Sequence, residues 1–312
     1  MLRIRRRKSV SPPPAVLEGS GIPPELLARV RAIELRARHL VNSLFLGEYR
    51  AVFRGHGLEF DELRPYLPGD DPRNIDWKAF ARTGETLIRR YREDRNLTVI
   101  LAVDVSGSQQ AGAAPRSKAE VAAEIAALLA LAAIQNKDRV GLLLFASEPE
   151  RYVRPAGGSR HVLRVVREVL WARPRTSGTD IGAALQYLTS VHHRRSTVFL
   201  ISDFLTRGYG PQLRTAARRH DIIAIRVREA LDEQLPDVGI ATIRDAESGQ
   251  PREVDTSSAR VRQAYAEAVR AIDEERRHIF GEVGIDEIDI RVGDDYVHEL
   301  KKFFKRRAVA VA

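Results

Sequence analysis

Leu97-Thr-Val-Ile-Leu-Ala-Val-Asp104-Val-Ser106-Gly-Ser108 is an apolar run that ends in one carboxylate, with two hydroxyls following at alternate positions. The run is short and rich in β-branched residues, the pattern of a strand buried on both faces in a parallel sheet. Asp104 then stands at the carboxyl end of that strand. In open α/β sheets that edge is where ligands bind. Asp104, Ser106 and Ser108 put three oxygen donors on one tight turn, and hard cations such as Mg2+ prefer oxygen.

Downstream, strand and helix patterns alternate. Ser117-Lys-Ala-Glu120 is a capping box, and it opens a helix with an apolar stripe of Val121, Ile125, Leu128, Leu129 and Ala132. Residues 139–145 and 197–202 read as buried strands, 222–227 and 285–290 as two more, and 151–154 as a short edge strand. Helices are expected over 160–171, 181–191, 211–220, 258–280 and 294–305, and a hairpin within 239–254. This order predicts an α/β fold, a doubly wound and mostly parallel sheet over residues 97–312.

Upstream, residues 1–21 are basic and then Pro-rich, the composition of a disordered tail. From Pro24 a helix would carry Leu26, Val30, Ile33, Ala37, Leu40, Val41 and Leu44 on one face. Residues 48–53 and 86–91 read as strands around a Pro-, Gly- and charge-rich middle. Residues 22–96 are therefore expected to form a helix and a smaller β-rich module. Asp70, Asp71 and Asp76 read there as turn and cap residues rather than a carboxylate cluster.

Composition narrows the function. The chain has 312 residues, 51 basic and 42 acidic, with a formal charge of +9. Ten of the basic residues lie within residues 3–8 and 301–307; without them 41 remain against the 42 acidic ones. A nucleic-acid binder would show a basic stripe on its folded surface, so no nucleic acid is expected. The basic termini could instead touch acidic lipid or an acidic partner. No cysteine is present, which excludes a disulfide scaffold, a Cys-ligated zinc and a thiol nucleophile. The longest apolar run, residues 125–134, falls short of the ~18 a membrane span needs. The expectation is a cytoplasmic protein without a signal peptide or membrane span, peripheral to a membrane only through its basic termini.

Asp203 ends the strand at 197–202, and Thr179 lies in a Gly-Thr-Asp turn just before a helix. With Asp104, Ser106 and Ser108 they offer two carboxylates and three hydroxyls, a donor set suited to Mg2+ or Mn2+ rather than zinc or copper. Enzyme patterns fit less well. A haloacid-dehalogenase phosphatase needs a second Asp where Ser106 stands, and a hydroxyl does not shuttle protons near neutral pH. The glycine spacing from Gly107 to Gly112 suggests a phosphate loop, but Ala113 replaces its lysine. Ser106 is not in a Gly-x-Ser-x-Gly elbow, and His192-His193 reads as a helix end. A non-enzymatic binding protein is expected, with a metal-dependent phosphohydrolase or nuclease as the alternative.

Asp104-Val-Ser-Gly-Ser108, Thr179 and Asp203 resemble the metal-ion-dependent adhesion site of von Willebrand factor A domains. Gly57-Leu-Glu-Phe60, Leu63-Arg-Pro-Tyr66, Pro68-Gly-Asp-Asp71, Arg73, Ile75-Asp-Trp77 and Ala81-Arg-Thr-Gly84 are similar to the bacterial domain-of-unknown-function family 58, von Willebrand A-like proteins often linked to MoxR-type AAA+ ATPases. The resemblance implies that Asp104, Ser106, Ser108, Thr179 and Asp203 hold Mg2+ or Mn2+. It also implies a protein partner that supplies an acidic residue to the metal, with a MoxR-type ATPase as that partner. Many relatives carry Met where this chain has Gln109, and many carry N-terminal membrane helices.

Overall fold

The computed structural model describes residues 58–93, 97–110, 116–176, 178–244 and 250–311, together with positions 35, 37, 40, 41, 47, 49 and 52. The tail expected at residues 1–21 and most of the helix expected from Pro24 lie outside these residues. Of that helix's face, Ala37 and Val41 are buried and Leu40 packs against the same core.

The first described elements form an antiparallel hairpin, β1 (Leu58–Pro65) on β2 (Leu87–Glu93), with α1 (Trp77–Thr83) between them. β1 falls within the Pro-, Gly- and charge-rich middle, where no strand is expected from the sequence. Its pairing with a strand more than twenty residues away supplies the hydrogen bonds that its own sequence pattern does not announce. The three acidic residues act locally, as expected. Asp71 accepts from Arg73 N, and Asp76 caps α1 by accepting from Lys78 N and Ala79 N. Asp70 forms a two-pronged pair with Arg64 at 2.7 and 2.8 Å. The strand expected at residues 48–53 is not formed: Gly47, Tyr49 and Val52 are helical. Tyr49 and Val52, three apart, are both buried in the main core, which is a helical spacing.

The remaining elements alternate. They are β3 (Thr98–Asp104), α2 (Gly107–Gln110), α3 (Lys118–Gln135), β4 (Arg139–Phe145), β5 (Pro149–Ala156), α4 (Ser159–Leu170), α5 (Ile181–Val191) and β6 (Thr197–Ser202). Then come α6 (Gly210–Ala217), β7 (Asp221–Arg228), the hairpin β8 (Ile240–Arg244) and β9 (Pro251–Asp255), α7 (Ala259–Val283), β10 (Asp286–Arg291) and α8 (Tyr296–Val311). Six strands make one sheet in the order β10-β7-β6-β3-β4-β5, parallel except for β5. This is the doubly wound, mostly parallel sheet expected from the sequence. Its winding reverses between β3 and β6, the switch point where such sheets bind ligands.

Both faces of the sheet are covered, which is why the central strands β3, β4 and β6 are apolar nearly throughout, while the edge strands β5 and β10 alternate. Val99, Leu101 and Val103 of β3 enter one core with α3, α4 and α8; Ile100 and Ala102 enter the other with α5, α6 and α7. Each of the Val, Leu and Ile side chains, once buried, contributes about 1.5–3 kcal/mol. α3 is buried along most of its length, Val121 to Ala133, and its alanines let it lie close to β3 and β4. Gly141 of β4 serves the antiparallel edge. A Cβ there would stand 2.8 Å from the Pro155 ring of β5.

The basic C-terminal residues belong to α8, which runs past the expected end at residue 305 to Val311. Leu300, Phe303 and Phe304 are buried, and Arg307 holds Asp221 through two bonds of 2.6 and 2.7 Å. Among the described residues no helix is long and apolar enough to cross a membrane.

Candidate functional site

β3 and β6 are parallel neighbours, with Val103 opposite Ile201. Asp104 and Ser202 therefore emerge side by side at the carboxyl edge, at the switch point. The Ser202 hydroxyl donates to Asp104 Oδ2 at 2.6 Å. Asp104 Oδ1 accepts from the Ser106 amide at 2.9 Å, which folds the loop back over the strand end. That turn brings the Ser106 and Ser108 hydroxyls to within 3.0 Å of each other. Asp104 and Ser106 are both 1% exposed, while Ser108 is half-buried.

Asp203 follows β6 directly. Its Oδ1 accepts from Leu205 N at 3.2 Å, and its Oδ2 accepts from the Lys118 ammonium at 2.8 Å. The next residue, Phe204, has a φ of 57°, a left-handed conformation that bulky residues rarely adopt. Its amide donates to Ser202 Oγ at 3.2 Å, and its ring is wedged edge-on against Phe280. Those contacts hold a strained turn at the position that aims Asp203, where strain characteristically collects.

Thr179 belongs to the loop before α5. Its carbonyl accepts from Thr206 Oγ1 at 3.3 Å, and Asp180 N donates to Ala146 O just beyond β4. The loop is thus tied to the segments following both β6 and β4, at the same sheet edge as Asp104. Asp180 is a helix cap, accepting from Ala183 N. Direct hydrogen bonds link Asp104 with Ser106 and Ser106 with Ser108. Asp203 is held instead by Lys118, which bonds no member of that group, and the Thr179 loop is tied to Thr206 after β6 and to Ala146 after β4.

Two buried carboxylates converge here. Burial and, next, the repulsion from Asp203 push Asp104 up to about 6, against the lowering effect of the Ser202 and Ser106 hydrogen bonds. A cation between them would relieve both causes. The donors are all hard oxygens, so their chemistry fits Mg2+ or Mn2+. Among the described residues no group of three or more His, Cys, Asp or Glu is placed to hold a metal. A cation at this edge would therefore rely on hydroxyl oxygens beside the two carboxylates.

Three participants escape a reading by motif. Ser202 looks like the last residue of an apolar strand, yet it carries the shortest hydrogen bond to Asp104. Gln109 is fully buried, and among the described residues neither its amide nitrogen nor its oxygen has a hydrogen-bond partner. Lys118, 2% exposed, bridges Asp203 and Asp232 at 2.8 Å each. In the sequence it is an unmarked position inside a capping box. A lysine in the first turn of a helix opposes the helix dipole, and that conflict is the one signal that marks it out.

Residues 62–275 match the family described as "Protein of unknown function DUF58". Over 302 residues the chain is 31% identical to "Uncharacterized protein Rv1480" of Mycobacterium tuberculosis, covering 95% of this chain and 94% of that protein. It is 30% identical over 161 residues to "Uncharacterized protein MAV169" of Mycobacterium avium, covering 49% of this chain and 92% of the other. Among solved structures, BatB from Bacteroides thetaiotaomicron superposes with a TM-score of 0.44 at 16% identity, covering 69% of this chain and 100% of that one. An aerotolerance-related membrane protein from Bacteroides fragilis gives 0.44 at 18% identity with the same coverage. The sequence match extends over most of the sheet domain and its preceding hairpin, and the chain belongs to the DUF58 family.

Proposed function

We propose that the chain is a non-enzymatic, metal-dependent protein-binding protein, an adaptor whose ligand site is the carboxyl edge of β3 and β6. The observation that carries this reading is the meeting of two buried carboxylates, Asp104 and Asp203, with the paired hydroxyls of Ser106 and Ser108 at the switch point of the sheet. Asp104, Ser106, Ser108, Thr179 and Asp203 would hold Mg2+ or Mn2+. Such an ion supplies an electrophilic position to an external carboxylate, since two Asp side chains only just neutralise it.

The chain's own residues do the rest. Ser202 and the Ser106 amide keep Asp104 ionised and correctly turned. The Phe204 turn aims Asp203. Ser106 where a phosphatase needs a second Asp, and Ala113 where a phosphate loop needs a lysine, favour holding a partner over breaking a bond. The partner would present an Asp or Glu, and the family resemblance points to a MoxR-type AAA+ ATPase.

The test is affinity capture with the purified chain, with and without EDTA, read by mass spectrometry and repeated with Asp104→Ala. Recovery of an AAA+ ATPase only with metal and only by the wild type is expected. Identical captures under all conditions would overturn the reading.

A further inference from the structure

Lys118 gives the site a positive charge of its own. Its ammonium lies 2.8 Å from Asp203 Oδ2 and 2.8 Å from Asp232 Oδ1. All three side chains are nearly or fully removed from solvent. Asp232 is fixed independently, its Oδ2 accepting from Glu229 N at 2.8 Å in the turn Ala230–Asp232 that follows β7. Tyr265 of α7 clamps the same turn by donating to Leu231 O at 2.9 Å. Lys118 itself projects from the first turn of α3, whose N-cap Ser117 and Glu120 form the complete capping box. The ammonium therefore sits in a rigid frame contributed by three segments, and it faces the carboxylate proposed as a metal ligand.

We propose that Lys118 is the ion-selectivity determinant of this site, setting its charge to match one divalent cation. This inference rests on the metal-binding reading above and adds a residue that no part of the adhesion-site pattern contains. Asp104, Asp203 and Asp232 bring three negative charges, and Lys118 removes one; Glu229, also buried, stands at the start of the Asp232 turn and is the same in every variant below. The three aspartates and the ammonium are left with two, which a divalent ion cancels. In a water-poor setting an uncompensated charge is costly, so the balance selects against ions of other valence. Lys118 also occupies one lone-pair direction of Asp203 Oδ2 without exhausting that carboxylate, which has about four acceptor sites.

The charge can be stepped in both directions without changing any proposed ligand. Asp232→Asn leaves one negative charge, the wild type two and Lys118→Met three. The double variant Lys118→Met/Asp232→Asn returns to two. Mn2+ is titrated by calorimetry and Tb3+ by sensitised luminescence into each, after circular dichroism and melting establish the fold. Asp104→Ala serves as the ligand-loss control.

Lys118→Met should raise the preference for Tb3+ over Mn2+ by at least about tenfold. Asp232→Asn should weaken both ions, Tb3+ more, and the double variant should recover the wild-type ratio. A loss of packing alone would lower both affinities together and leave their ratio unmoved. If Lys118→Met does not fold, the comparison of Asp232→Asn with the wild type decides the matter alone. Binding that needs Asp104 but keeps one ratio across the folded series overturns the role of Lys118 and leaves the metal site standing. Absence of any Asp104-dependent binding of either ion overturns both.

Discussion

Ser202 and Asp104 lie 98 positions apart, yet the hydroxyl of one donates to the carboxylate of the other at 2.6 Å, joining the ends of β3 and β6. The bond favours the charged carboxylate and works against the burial that raises Asp104 to about 6. Ser202→Ala should therefore destabilise the metal-free protein by about 1.5–3 kcal/mol where Asp104 is ionised. The loss should shrink below pH 6, where the carboxyl is protonated. Urea unfolding of both proteins on either side of that pH checks this. An equal loss at both would mean that Ser202 serves packing only.

Asp104→Asn separates the cost of the site from its use. The amide keeps the shape and removes the charge that opposes Asp203. In EDTA at alkaline pH the variant should match or exceed the wild type in stability, because a buried like-charge contact is gone. Added Mn2+ should stabilise only the wild type, by about 2.7 kcal/mol at a hundred times the dissociation constant. Thermal melts with and without Mn2+ give both comparisons. A variant that Mn2+ protects as well as the wild type would remove Asp104 from the ligand set.

Much of this architecture is written locally. The runs at β3, β4, β6 and β7 are apolar because both sheet faces are covered, so composition alone marks them as central strands. The carboxylates at their ends then fall at one edge by topology. What stays hidden is what depends on distant partners. β1 is a strand because β2 pairs with it across α1. Tyr49 and Val52 are β-formers by type, but the core places them on one helical face. Lys118 finds its carboxylates 85 and 114 positions away, a separation that no motif spans.

His220 carries an acid sensitivity at the opposite side of the molecule. It is 2% exposed, among the described residues neither ring nitrogen has a hydrogen-bond partner, and it stacks on His192 at 5.9 Å. Burial first, and then His192 and Arg219, lower it to about 4. A histidine with a depressed folded-state pKa binds fewer protons when folded, so its contribution is present above about 6.5 and is lost as pH falls toward about 4. His220→Phe should therefore gain on the wild type by about 3 kcal/mol as pH falls from about 7 to about 4. Asp104 and Asp138, both raised to about 6, act in the other direction, but they are common to both proteins. Denaturant midpoints across that range test the difference. Parallel curves would show that His220 is protonated without cost.

Tyr49 tests whether the segment before the hairpin is part of the folded unit. Its side chain is fully buried, its ring meets Phe304 of α8 edge-on at 6.0 Å, and its hydroxyl donates to Asp138 Oδ2 at 3.0 Å. Asp138 also accepts from Leu97 N and Asn136 Nδ2, and burial raises it to about 6 despite these bonds. Tyr49→Phe keeps the ring and removes one donor from a buried carboxylate. Above pH 6 the charged Asp138 should make this cost about 1.5–3 kcal/mol, and below it the cost should fall toward that of a neutral hydrogen bond. Because Asp138 precedes β4, at the edge away from Asp104, Mn2+ binding should be unchanged. A stability loss that does not vary with pH would mean that the hydroxyl does not hold the ionised Asp138. A change in Mn2+ affinity would couple the two edges of the sheet.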